Sequence, residues 1–205
     1  MTESPTAAPQ PIPSQAPLDV QVLQTAAALE NLAVTSYTSA EALPFLAGDG
    51  NAHLRELIAR NKAHHAAHAT AFNQAVTQAG AAPQHTADMR YAASVGRMLG
   101  QITDPTHLVA LLTELEGINA QTCTRFATLT ETGGLRSLFV NVASVEAQHG
   151  SELLIIRSLL DDGQAEPGAP RTAAHLLPPA LGTAGIPHAD YPTTDASAIN
   201  EGVVR

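Results

Sequence analysis

The chain has 205 residues, enough for one domain with tails; 44% are hydrophobic, yet only 3% are aromatic and none is Trp. Its apolar mass is Ala, Leu, Val and Ile, which suits closely packed helices better than a sandwich or a barrel. A formal charge of −9 argues against nucleic acid and anionic membranes as partners, and a single cysteine, Cys123, excludes an intramolecular disulfide framework.

Residues 1–17 carry five prolines and no Lys or Arg. They lack the basic and apolar regions of a secretory signal and cannot build a core, so they read as a disordered arm. No apolar run in the chain reaches the roughly 20 residues of a membrane span. With the lone cysteine, this points to a cytoplasmic protein.

Helix one is predicted from Leu18 to about Leu43, with Asp19 in its first turn and Pro44 barring continuation. Its apolar stripe runs through Val22, Leu23, Ala26, Leu29, Ala33, Tyr37 and Ala40, and Glu30 sits inside it. Helix two runs from about Asn51 to Gln78 and ends at Gly80 and Pro83. It contains the densest histidine group of the chain, His64, His65 and His68. His64 and His68 are four apart and could ligate together, leaving His65 outside; Ile58 and Phe72 on the His65 side favour His65. Residues 80–104 are long for a hairpin link and suit a crossover along the side of a bundle, with a short helix around Arg90–Leu99.

Helix three starts at Asp104-Pro105 and reaches about Thr130, carrying Glu116 among Val109, Leu112, Ala120 and Cys123. Gly133-Gly134 reads as the turn into helix four, from about Leu135 to Leu160. There Glu146 and His149 project from neighbouring turns of one face, amid Phe139, Val142, Ala143 and Leu153. A carboxylate in such surroundings is costly unless paired, and a metal ion would pair it. Beyond it lies an extended Pro/Gly/Ala-rich tail, residues 162–205, whose apolar stretch from His175 to Leu181 is expected to lie along the bundle or on a partner. His53, His85, His107, His175 and His188 show no partnered spacing and read as surface residues.

The two halves can be overlaid. Leu29-Glu30-Asn31-Leu32-Ala33 matches Leu115-Glu116-Gly117-Ile118-Asn119, and His65-Ala66-Ala67-His68 matches Glu146-Ala147-Gln148-His149. Two lone Glu and two His-bearing motifs in that order resemble the ferritin-like superfamily, which includes bacterioferritin, rubrerythrin and manganese catalase. The nearest likeness is to the bacterial ferritin-like domain family that also holds plant desiccation-related proteins. Di-metal bundles of this kind take one Glu from each of two helices and Glu-x-x-His from each of the other two.

The resemblance covers residues 18–161 and implies an all-α, ferritin-like four-helix bundle with a long crossover between helices two and three. It implies metal ligands at Glu30, His65, His68, Glu116, Glu146 and His149, with Tyr37, His64 and Cys123 as neighbours of the site. The implied cofactor is one or two divalent ions, iron or manganese first and zinc as a further candidate. Implied partners are dioxygen or hydrogen peroxide, in protection against oxidative stress; a homodimer pairing along the crossover is a separate expectation. The departure is His65, where the family has Glu. Imidazole nitrogens point away from each other and cannot bridge a close metal pair as a carboxylate does, so a dinuclear ferroxidase is less expected. A non-catalytic stress protein, braced by a metal such as zinc, is the alternative.

Overall fold

The computed structural model describes residues 16–162 and 193–204. Among the described residues every regular element is helical: α1 (Leu18–Glu41), α2 (Ala52–Gln78), α3 (Met89–Leu99), α4 (Pro105–Leu129) and α5 (Gly133–Asp162), with 3-10 turns at Pro44–Ala47 and Asp49–Asn51. Helices α1, α2, α4 and α5 form the bundle, and α3 lies in the crossover. α1 packs along α2 and α4 along α5, and the two hairpins meet chiefly through α1 and α4. None of the described helices is long and apolar enough to cross a membrane.

Local chemistry fixes the helix ends. At the end of α2 the Gly80 N–H donates to Thr77 O and the Ala81 N–H to Val76 O, with Gly80 at φ 76°. This double closure needs the left-handed backbone that glycine adopts without strain. α4 begins with Pro105 in its first turn, and the Asp104 carboxylate accepts from the His107 N–H. His107 also contacts Asp104 through its ring, so this exposed histidine has a partner three residues back, contrary to the reading of it as unpartnered. The start of α5 differs from the expectation too. Gly133 and Gly134 form its first turn, because Thr132 caps it: its hydroxyl accepts from the Leu135 N–H and its carbonyl from the Arg136 N–H.

The core is stacked in layers along the bundle axis. One apolar cluster gathers Ala33, Tyr37, Leu54, Ile58, Leu112 and Leu153 with their neighbours. The other gathers Leu23, Ala26, Phe72, Cys123, Phe126, Phe139 and Val142. Phe139 is its hub, with ring centroids 5.2 Å from Phe72 and 5.8 Å from Phe126. Along each bundle helix, a titratable side chain falls between a residue of one cluster and a residue of the other. Glu30 lies between Ala26 and Ala33, His65 between Ile58 and Phe72, Glu116 between Leu112 and Cys123, and Glu146 between Val142 and Leu153.

α1 is buried nearly all round, which a single apolar stripe did not foretell. Gln24, Thr25 and Ala28 are buried as well as the stripe, because two other segments cross them. The crossover binds α1 through Gln24 Nε2 donating to Ala82 O (2.7 Å) and the Asp88 N–H donating to Ala28 O (3.0 Å). Residues 193–204 cover the rest. Thr25 Oγ1 donates to Ile199 O and accepts from the Gly202 N–H, both at 3.0 Å, and the Ser197 N–H donates to Thr122 Oγ1 at 2.9 Å. Gln84 Nε2 from the crossover donates to Gly202 O, and Arg90 pairs with Glu201. Residues 1–15 and the His175–Leu181 stretch lie outside the described residues.

Gly202 passes so close to α1 that a Cβ there would meet Thr25 Cα at 2.6 Å and Gln24 O at 2.7 Å, both rigid backbone atoms. Gly202→Ala should therefore destabilise the protein by about 1–3 kcal/mol or release the segment from α1. Urea denaturation combined with limited proteolysis reads both effects, and an unchanged midpoint with an intact terminus would show that the segment does not dock there.

Candidate metal centre

The layer between the two apolar clusters contains Glu30 from α1, His65 and His68 from α2, Glu116 from α4, and Glu146 and His149 from α5. Five of the six are buried, each at 2% exposure or less, and His68 is the partly exposed one. His65 is at the centre. Its Nδ1 lies 2.8 Å from Glu30 Oε2 and 3.6 Å from Glu146 Oε1, while Nε2 lies 3.2 Å from Glu116 Oε1. His68 Nδ1 is 2.7 Å from Glu146 Oε1 and 3.6 Å from Glu30 Oε1. His149 Nδ1 is 3.3 Å from Glu116 Oε2 and 3.4 Å from Glu146 Oε2.

These contacts resolve into two groups whose donor atoms all lie within 4.8 Å of one another: Glu30, His65, His68 and Glu146, and His65, Glu116, Glu146 and His149. Either group could hold a metal ion, and His65 and Glu146 belong to both. Bonds of about 2.1 Å place neighbouring ligands roughly 3.0 Å apart in an octahedron and 3.4 Å in a tetrahedron. The observed separations of 2.7–3.6 Å therefore suit a shared ion as well as hydrogen bonds. One atom asks for more than its neighbours give: Glu146 Oε2 is buried without a hydrogen-bond partner among the described residues. The donor set, mixed carboxylate and imidazole with one oxygen unsatisfied, fits a divalent cation.

Without a metal the layer is held by charge exchanged internally. Burial opposes the charged form of His65, but the charges of Glu116 and Glu146, with hydrogen bonds to Glu116 and Glu30, lift its pKa well above the ordinary value. His68 meets the same opposition and is raised to about 9 by hydrogen bonds to Glu146 and Glu30. His149 is raised by Glu116 and Glu146 against its own desolvation. In return, Glu116 is held well below the usual carboxylate range, and Glu30 is also lowered: burial works against both anions and the imidazoles outweigh it. Glu146 goes the other way, to about 7, through burial and the charge of Glu30.

The neighbours separate cleanly. His64 lies beside His149, with Nδ1 2.9 Å from Nε2 and the rings stacked at 5.2 Å. It is half-buried, and desolvation and His149 lower its pKa. Tyr37 is fully buried and its hydroxyl donates to Glu116 Oε1, with its ring 5.1 Å from His65. Cys123 belongs to the apolar layer, where burial, then Glu30 and Glu146, push its thiol well up and keep it protonated. Asn61 escaped the sequence reading. It is fully buried four residues before His65, on the same face of α2, with its amide nitrogen unpartnered among the described residues. That spacing was the available signal, masked by the polar run around it.

Fold and site together describe a four-helix bundle with a buried carboxylate–imidazole layer able to accept a metal ion. A family model described as the ferritin-like domain matches residues 18–160. The chain belongs to that family. Neither the curated proteins nor the solved structures give a match.

In metal-free protein, Glu146 and His68 bind protons more tightly folded than unfolded. Their effect on stability becomes less favourable as pH rises, from 4.5 to about 7 for Glu146 and from 6.5 to about 9 for His68. Glu30 and Glu116 are lowered, so they contribute stability above the ordinary 4.5 that is lost in acid. The chelated protein should melt highest at mildly acidic pH and lose melting temperature toward about pH 9. Metal-loaded protein should show the opposite trend, since protons compete with the ion for the same atoms. A profile in chelator that is flat across this window would contradict the buried charge network.

Proposed function

We propose that this protein binds iron or manganese at the Glu/His layer and consumes dioxygen or hydrogen peroxide, protecting the cytoplasm against oxidative stress. The observation that most supports this is the convergence of six donor side chains from four helices between two apolar clusters. Glu30, His65, His68 and Glu146 would hold one ion, and His65, Glu116, Glu146 and His149 offer the second position. When bound, such an ion would supply the electron transfer to the oxidant.

The chain's own groups prepare the site. Glu30, Glu116 and Glu146 offset the cation's charge. The Tyr37 hydroxyl, donating to Glu116 Oε1, fixes that carboxylate and leaves Oε2 turned to His149. His64 Nδ1 meets His149 Nε2, so it orients the ring whose Nδ1 faces the carboxylates. Through the same contact a proton can pass between half-buried His64 and the interior. The apolar layers keep bulk water from the charges and strengthen every interaction among them.

A second reading is favoured by His65. An imidazole in place of a carboxylate removes one negative charge and offers less support to an ion that gains charge on oxidation. On this reading the ion, zinc included, only braces the four helices of a stress protein. A homodimer along the crossover remains part of either reading, and its partner would meet residues 193–204 where they lie over Gln84 and Arg90.

Oxygen and peroxide consumption with Fe(II) or Mn(II) distinguishes the two. The redox reading expects turnover that falls at least about tenfold in Glu146→Ala. It also expects retention of the metal to weaken about 10–100-fold in His64→Ala. Unchanged rates in Glu146→Ala remove the redox reading. A sharp fall in melting temperature on chelation, with no turnover in the loaded protein, selects the structural one.

A further inference from the structure

The position that departs from the family pattern is also the position the two ligand groups share. His65 Nδ1 is turned to the group of Glu30, His68 and Glu146, at 2.8 Å from Glu30 Oε2. Its Nε2 lies 3.2 Å from Glu116 Oε1, and Glu116 belongs with Glu146 and His149 to the second ligand group that includes His65. The ring is buried at 0% exposure, and both nitrogens meet protein carboxylates, Nδ1 those of Glu30 and Glu146 and Nε2 that of Glu116. Glu146 divides in the same way. Oε1 is 2.7 Å from His68 Nδ1, and Oε2, unpartnered, lies 3.4 Å from His149 Nδ1.

We propose that His65 bridges two divalent ions through its two ring nitrogens, giving a widely spaced dinuclear centre in place of a close carboxylate-bridged one. This rests on the metal-binding reading above and specifies its nuclearity. Each ion then has four protein donors, the number a borderline cation such as zinc or copper accepts. Bridging needs both ring protons to leave for solvent. The resulting anion, with Glu30, Glu116 and Glu146, carries four negative charges against the four positive charges of two divalent ions. Net neutrality is what a buried site requires. Metal–nitrogen bonds on opposite sides of one imidazole set the ions roughly 6 Å apart, compared with about 3.5–4 Å for a close pair.

The test loads the full chain with Cu(II) as probe, counts ions by mass spectrometry and records electron paramagnetic resonance. Two ions per chain are expected, with a half-field signal and reduced spin intensity from coupling through the ring. His65→Gln should drop to one ion with the spectrum of an isolated centre. If that variant does not fold, His65→Glu serves instead, keeping two ions but shortening their separation to about 3.5–4 Å by X-ray absorption. The bridge is overturned by one ion in the native chain, by two uncoupled ions, or by coupling that persists in His65→Gln. One ion leaves the metal-binding reading standing, whereas binding of neither Cu(II), Zn(II), Mn(II) nor Fe(II) removes both.

Discussion

Three carboxylates buried in a single layer of a helical bundle set the terms for the rest of this structure. Charged groups are rarely buried unpaired, because the loss of hydration is large. Glu30, Glu116 and Glu146 each have 1% exposure or less, so every other element of the layer answers to their charge. His65, His68 and His149 do so, the carboxylates raising the pKa of each imidazole above its ordinary value against the pull of burial. The same nitrogens are the atoms a metal would use. A cation bound there would take the place of protons at the same atoms.

The apolar clusters above and below make this exchange matter. The Phe72, Phe126 and Phe139 group closes one end, and Tyr37 with Leu112 and Leu153 closes the other. Low polarizability on both sides raises the cost of any unpaired charge between them. His64 and His68, both on α2, are the partly exposed histidines of the group. His64 lies outside the inner set. Its contact is with the outer nitrogen of His149, and His65 holds the centre. Residues 193–204 contribute from farther away, burying the outer face of the helix that carries Glu30 through Thr25 and Gln24.

Much of the bundle was legible because helical spacing is a local signal. The four long helices, the short helix in the crossover and the Asp104 cap all follow from periodicity and end chemistry. The burial of Glu30, Glu116, Glu146 and His149 follows from the same periodicity, since each sits between apolar turns, whereas their convergence was implied by the family resemblance. What stayed hidden depends on tertiary contact. The choice between His64 and His65 turned on which face of α2 meets α1 and α4. The burial of Thr25 comes from a segment more than 170 residues later in the chain, and that of Gln24 from the same segment together with the crossover; no periodic pattern encodes it. Gly133-Gly134 misled as a turn because Thr132 supplies the cap that lets a glycine pair open a helix.

The layer between the apolar clusters is proposed to be a cation site. Crystals of protein loaded with Zn(II), measured on either side of the zinc absorption edge, test it most directly. Anomalous density is expected within bonding distance of Glu146 and His65, between α1, α2, α4 and α5. Density confined to surface pairs such as Asp104 and His107, with the buried carboxylates and imidazoles still hydrogen-bonded to one another, would contradict it.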